Sequence, residues 1–411
     1  MSCQKQVDQW NSAFYGRFQY PPPPAVFERV RCPGFWRRFL GQDIGDWEGT
    51  RLPGSPRIWV AGCGTNQAIV TALKFPEATV VATDLSQQSL ETAARNARAL
   101  GISNLELRRE SIHETSHSDE FDFVICTGVI HHTADPQHAL TCLGAALKRN
   151  GVLELMVYNT FHRLLTRAFQ AAVRTFAGTT GSPDWNTELP IAQRLAQSFR
   201  TGNLMSGFLA EIPYAQESLF ADSLLQPVEE AYTIKSLDRI ASKAGLELLH
   251  FSVDQFSRAM GATDWNIRFE EPLLREKYEV LGDLDRWEVA NQMLGESSPM
   301  LWFYLQRSDS EYPRKTEREL ATEFQARNFT RTQTEKEMFG RGLVGYSPAP
   351  RVAPFPGKPV AGDAARFYAA LNGTGSIQEA LAATGLEPDW TTLHRLRVHL
   401  ATSAFPFLLA T

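Results

Sequence analysis

The stretch Ile58-Trp59-Val60-Ala61-Gly62-Cys63-Gly64-Thr65-Asn66 constrains this chain more than any other. Four apolar residues in a row suit a strand covered on both faces, as in a parallel sheet. They run straight into Gly-x-Gly, and the pattern then predicts a helix over residues 67–75. Glycine adopts backbone angles closed to other residues and lets another group approach the main chain closely. The helix start beyond the turn presents unpaired N–H groups. A second strand, 78–83, ends at Asp84, 20 residues after Gly64. An acid at that point of a strand–helix–strand unit hydrogen-bonds ribose hydroxyls. It also suits the cap of the helical pattern at 86–100, and the two roles are compatible.

The alternation continues downstream. Strands are expected at 57–61, 78–83, 104–109, 121–126 and 152–158, and helices at 67–75, 86–100 and 136–148, with Asn150-Gly151 as a helix-to-strand turn. Regular alternation implies a doubly wound parallel sheet with helices on both faces. Two later apolar runs, 246–253 and 299–306, close the sheet as an antiparallel pair. Ligands on such sheets sit at the carboxyl ends of the strands near the switch in strand order. The segments to watch are therefore Gly62 to Asn66, Asp84, Glu110 to Ile112, Thr127 to His132 and Tyr158 to Arg163.

The remainder divides around this core. Residues 1–55 form an arm in which Trp10, Phe14, Tyr15, Phe18 and Tyr20 precede Pro21-Pro22-Pro23-Pro24. Aromatics need burial, so the arm is expected to lie against the main domain. The core spans 56–159 and 233–307, and the segments 160–232 and 254–298 read as helical insertions forming a lid. After a polar linker, residues 316–411 read as a small, mainly helical, winged-helix-like appendage with helices at 364–371, 376–384 and 391–403. Few basic residues cluster there, so packing or homodimerisation is expected of it rather than DNA binding.

Charge and cysteine content narrow the classes. The net charge of −5, with no basic stripe, argues against a nucleic-acid partner. Five scattered cysteines without a CxxC pair suit a reducing compartment and neither disulfides nor zinc. No apolar run is long enough to span a membrane, and a cytoplasmic location is expected. His132, Asp135 and His138 resemble metal ligands, but a helix starting near Pro136 scatters them, and no metal is expected.

Val60-Ala61-Gly62-Cys63-Gly64-Thr65, Asp84-Leu85-Ser86 and Phe121 to His132 together resemble a class I S-adenosylmethionine-dependent methyltransferase. The resemblance covers roughly 55–160 and more loosely 215–307, where Phe220 to Glu229 is similar to a bacterial subgroup found partly in secondary metabolism. It implies a Rossmann-like sheet of seven strands with one antiparallel edge strand and S-adenosylmethionine as cofactor. Gly62 and Gly64 are then expected beside the amino-acid part of the cofactor, with Thr65 and Asn66 starting the helix behind. Asp84 is expected on the ribose, Leu85, Ser111 and Ile112 at the adenine, and Thr127 and Gly128 beside the methionine portion. Two departures stand out: Val60 replaces an acid common in the family, and Asn66 replaces a third glycine.

Three functions fit. The first is methyl transfer to a small-molecule or carrier-bound acceptor. The second is cyclisation of S-adenosylmethionine itself to azetidine-2-carboxylate and methylthioadenosine. The third is non-catalytic binding. His132, Tyr158, Asn159 and Tyr15 are the candidate catalytic or orienting groups. His132 is the first choice as base, although a histidine there also suits a helix cap or packing.

Overall fold

A computed structural model of the chain describes residues 3–212, 216–253, 264–295, 297–343, 345–359, 362–371 and 374–411. Part of the expected second insertion, 254–263 and position 296, lies outside the described residues. The amino-terminal region holds α1 (Cys3–Arg17), β1 (Val26–Val30) and α2 (Phe35–Asp43). The core follows as β2 (Arg57–Ala61), α3 (Gln67–Lys74), β3 (Thr79–Asp84), α4 (Gln87–Ala99), β4 (Leu105–Arg109), β5 (Phe121–Thr127), α5 (Pro136–Ala146) and β6 (Leu147–Tyr158). Next come α6 (Thr160–Ala177), α7 (Trp185–Ser198), α8 (Leu204–Ala210), α9 (Glu217–Leu224), α10 (Ile234–Lys243) and β7 (Leu246–Phe251). Helices α11 (Pro272–Glu279) and α12 (Asp283–Met293) precede β8 (Met300–Arg307).

The seven core strands form one sheet in the order β4-β3-β2-β5-β6-β8-β7. Strands β2 to β6 pair in parallel, and β8 runs antiparallel to both β6 and β7. The antiparallel strand is thus second from the edge, and β7 is the edge itself. Alternate residues face opposite layers: Trp59, Ala61, Val124 and Cys126 enter one apolar core, and Ile58, Val60, Phe123 and Ile125 the other. That two-sided burial is why these strands read as unbroken apolar runs. The order reverses between β2 and β5, which places the switch point over Gly62 and Thr127.

One local expectation changes. Asn150 and Gly151 lie inside β6, not in a turn before it. The β5–β6 register shifts there, and a Cβ on Gly151 would fall 2.9 Å from the Phe121 carbonyl oxygen. Glycine admits that close backbone approach.

The carboxyl-terminal region contains α13 (Glu317–Ala326), β9 (Asn328–Arg331), β10 (Thr334–Gly342), β11 (Gly345–Tyr346) and β12 (Arg351–Phe355). It ends with α14 (Gly362–Ala370), β13 (Thr374–Ser376), α15 (Ile377–Thr384), α16 (Trp390–Leu400) and β14 (Leu408–Ala410). The three expected helices are present, but two small sheets accompany them. Strand β9 pairs with β13 and β14, and β10 pairs with β11, β12 and β1 of the arm. The arm is therefore shared: β1 and α2 belong with the appendage, where Gln42 bonds the main chain at Ala401, Leu408 and Ala410.

The two insertions behave differently. Helices α6 to α9 pack with Phe14 of α1 and with Phe18 just beyond it in one apolar cluster. In the described part of the second insertion, Arg286 pairs with Glu317 of α13 at 2.7 Å and Trp287 donates to the same carboxylate at 2.8 Å. These contacts tie that segment to the appendage. Among the described residues no helix is long and apolar enough to cross a membrane.

Candidate active site

The β2 turn is closed by protein contacts on both sides. Gly62 and Gly64 have φ of 69° and 54°, in the left-handed region. A Cβ on Gly62 would lie 2.4 Å from a Val129 methyl, and one on Gly64 would lie 3.0 Å from the Tyr20 carbonyl oxygen. Asn66, by contrast, sits at φ −128°, so this position makes no demand for glycine. Thr65 and Asn66 face the arm: the Thr65 hydroxyl donates to the Pro21 carbonyl, and Asn66 Nδ2 donates to Pro22 at 3.0 Å. Their side chains tether the proline segment across the turn.

Asp84 closes the adjacent strand. Its two oxygens accept the Gly64 and Ser86 N–H groups, each at 2.8 Å. Burial raises its carboxyl above the ordinary value and backbone donors pull it back. Ser86, not Asp84, caps α4 by accepting from Ser89. The Leu85 N–H is a third backbone donor to Asp84, whose carboxylate keeps one acceptor direction free.

Helix α1 lies over the strand ends and is fixed by polar contacts. Asn11 Nδ2 donates to the His132 carbonyl at 2.7 Å, and Ser12 Oγ to the Leu85 carbonyl at 3.2 Å. Ser111, which caps the short turn containing buried Ile112, donates to Asp8 Oδ2 at 2.9 Å. Sequence reasoning anticipated that the arm would be buried but missed its helix, because the polar positions of α1 mask its apolar face.

After β5, Gly128 turns the chain at φ 79° and its N–H donates to the Met156 carbonyl. His131 and His132 follow in a short helical turn, both buried. His132 Nδ1 lies 2.8 Å from the Val228 carbonyl, which assigns the proton to Nδ1 and leaves the lone pair on Nε2. Burial pushes its pKa down to about 4, so it is neutral near pH 7. His131 packs against Tyr158, with ring centres 4.0 Å apart and the ring planes tilted by 39°. Arg163 lies over the Tyr158 ring at 4.2 Å.

The structure separates the four catalytic candidates. Asn159 is committed to the frame: Nδ2 donates to the Gly295 and Ser298 carbonyls, and Oδ1 accepts from Phe161 and Asn291. It caps α6 and has no polar atom left for a substrate, which corrects the expectation. His132, Tyr158 and Tyr15 gather around one polar cluster. The Tyr15 hydroxyl accepts from Gln226 Nε2 at 2.9 Å and hydrogen-bonds Asp222. Gln226 Nε2 also donates to Asp222 Oδ1 at 2.7 Å. Burial raises the Asp222 carboxyl to about 7. Arg163 forks onto Glu229, with Nε to Oε1 at 2.8 Å, and this pair is 7% and 3% exposed.

Arg163 lies in one of the segments the sequence marked. Asp222, Gln226 and Glu229 are the functional candidates that sequence reasoning did not single out. A signal existed for the first: a lone acid between Phe220-Ala221 and Leu224-Leu225 on a short apolar helix. Its partner Tyr15 is some two hundred positions away and carries no sequence mark.

Residues 59–153 match a family described as a methyltransferase domain. A protein of Synechococcus is 27% identical over 314 residues, covering 74% of this chain and 72% of the relative. The tRNA 5-carboxymethoxyuridine methyltransferase of Escherichia coli is 32% identical over 158 residues, covering 36% of this chain and 59% of that enzyme. Among solved structures, PKMT2 from Rickettsia typhi in complex with AdoHcy superposes with a TM-score of 0.59 at 16% identity. That likeness covers 95% of this chain and 77% of the other, and is a likeness of fold.

Proposed function

The chain belongs to the class I S-adenosylmethionine-dependent methyltransferases, and we propose that it methylates a small-molecule or carrier-bound acceptor seated beneath α1. The observation that carries this reading is the convergence of Gly62, Gly64, Asp84 and the Tyr15–Asp222 cluster at the strand-order switch, roofed by α1. The residues fit the cofactor. Asp84 retains an acceptor direction for a ribose hydroxyl. Leu85, Ile112 and Ser111 would flank the adenine. Thr127 and Gly128 would border the methionine portion. With no acid at Val60, the hold on the amino-acid end falls to the turn's main chain.

S-adenosylmethionine supplies an electrophilic methyl on a sulfonium. The protein's task is to orient a nucleophile in line with it and to exclude water. Tyr15, Tyr158 and neutral His132 gather near Asp222 and the Arg163–Glu229 pair, with α1 tied to the His132 carbonyl through Asn11. The stretch from Phe220 to Glu229 is what associates the acceptor with bacterial secondary metabolism.

The test is product analysis. Pure protein given S-adenosylmethionine alone should be silent, and S-adenosylhomocysteine should appear only with an acceptor. Methylthioadenosine formed without an acceptor would instead establish the cyclase. Absence of S-adenosylhomocysteine binding by calorimetry would refute both.

A further inference from the structure

The polar cluster over the strand ends carries one unbalanced charge. Arg163 and Glu229 neutralise each other through a two-point ion pair. Asp222 is buried beside them, and its direct hydrogen-bond partners, Gln226 and Tyr15, are neutral. A buried anion held by neutral donors is a place for a cation. A second observation points the same way. Gln226 Oε1 is buried with no hydrogen-bond partner among the described residues, while Nε2 of the same amide is bonded to Asp222. An acceptor so buried calls for a donor. The hydroxyls of Tyr15, Tyr20 and Tyr158 also lie within electrostatic reach of this carboxylate. Tyr15 also feels the charge of Asp84, which ties the cluster to the cofactor side of the cleft.

We propose that the methyl acceptor is an amine, whose nitrogen donates to Asp222 and Gln226 Oε1, and that Asp222 is the base that takes its proton. This rests on the methyl-transfer reading and names its acceptor class. The ammonium R–NH3+ gives one proton to the Asp222 carboxylate, leaving R–NH2 and a carboxylic acid. The nitrogen lone pair then forms the N–C bond to the methyl carbon. The C–S bond breaks with its electron pair returning to sulfur, so the sulfonium becomes a neutral thioether. The product is R–NH2–CH3+, and Asp222 later returns its proton to solvent. The charged and titratable groups facing Asp222 are Arg163 on α6, Glu229 in the loop after α9, Tyr15 on α1, Tyr20 in the arm and Tyr158 at the end of β6. Burial raises the Asp222 carboxyl to about 7, which suits proton exchange near neutral pH.

The test needs no knowledge of the acceptor. Sinefungin carries an ammonium-bearing carbon where S-adenosylmethionine has its methylated sulfur, so it presents an amine at the transfer point. Calorimetry at pH 8 compares sinefungin, S-adenosylmethionine and S-adenosylhomocysteine on the intact protein and on Asp222→Asn. Sinefungin should bind the intact protein more tightly than S-adenosylhomocysteine, and Asp222→Asn should cut that preference about 10–100-fold, the scale of a charge-assisted hydrogen bond. The preference of the intact protein should also fade as pH falls through 7. The ratio of S-adenosylmethionine to S-adenosylhomocysteine affinity should not move. A sinefungin preference that survives in Asp222→Asn overturns the proposal. So does a parallel loss of the S-adenosylmethionine ratio, which would make Asp222 a partner of the sulfonium. If the intact protein binds none of the three, the methyl-transfer reading itself has failed. Should Asp222→Asn not fold, Tyr15→Phe replaces it: losing that hydroxyl should shift the pH midpoint of the sinefungin preference upward, and an unmoved midpoint overturns the proposal.

Discussion

Replacing Gly62 with alanine probes why the β2 turn needs glycine. At φ 69° an alanine incurs left-handed backbone strain of about 1–2 kcal/mol. The added Cβ would stand 2.4 Å and 2.8 Å from the two methyl carbons of Val129. Overpacking of that kind costs about 1–3 kcal/mol. Gly62→Ala should therefore lose about 2–5 kcal/mol of unfolding free energy, the sum of these two. Val129→Ala removes both clashing methyls and leaves the strain untouched. The double variant should recover about 1–3 kcal/mol relative to additivity, because only the overpacking is shared between the two sites. Denaturant unfolding of the four proteins closes the cycle, and S-adenosylhomocysteine affinity is measured on each. Strictly additive losses would refute the assignment to Val129. Restored stability with binding still lost would show that the ligand, and not the valine, demands glycine at this position.

Asp84→Ala should weaken S-adenosylhomocysteine binding by about 1–3 kcal/mol in calorimetry, and unchanged affinity would remove Asp84 from the ribose. Arg163→Met should cost about 3–5 kcal/mol by stranding a buried Glu229, and adding Glu229→Leu should restore most of it; a double variant as unstable as the single would contradict the pairing. Asn11→Ala leaves the His132 carbonyl without its side-chain donor, so α1 should loosen and limited proteolysis should cut sooner within residues 3–25; an unchanged digestion rate would mean that the aromatic contacts alone hold the arm. Burial depresses the His132 pKa to about 4 in the folded state. An unfolded histidine titrates near about 6.5, so between these values the unfolded chain binds more protons. Stability from keeping His132 neutral is complete above about pH 6.5 and declines towards pH 4, by at most about 1.4 kcal/mol per unit. His132→Asn should flatten that part of the acid limb in unfolding measured from pH 7 to 4.5, and an unaltered slope would exclude His132 as a contributor.

The core was legible in the sequence because its signals are local. A strand buried on both faces must be apolar throughout, and Ile58 to Ala61 and Phe121 to Cys126 are nearly so. Gly62 at φ 69° needs glycine whatever its neighbours are. Asp84 stands at a spacing set by one strand–helix–strand unit. None of these depends on a distant part of the chain, and all were placed correctly on the strand ends. The appendage was only partly legible. Its helices showed through their own periodicity, but β9 and β14 are short and acquire their pairing from each other across most of the region's length.

The roof and the chemistry beneath it were decided by tertiary structure alone. That Asn159 is a cap depends on Asn291, Gly295 and Ser298, far along the chain. That Asp222 is a base candidate depends on burial, which lifts its carboxyl towards neutrality, and on Tyr15 arriving from the first helix. A pKa or an orphaned amide oxygen is a property of surroundings, and a sequence lists residues without their surroundings. The sequence by itself therefore determined the strand–glycine turn–helix of β2 and the acid that ends β3. Only the folded chain decided which side chains gather around Asp222.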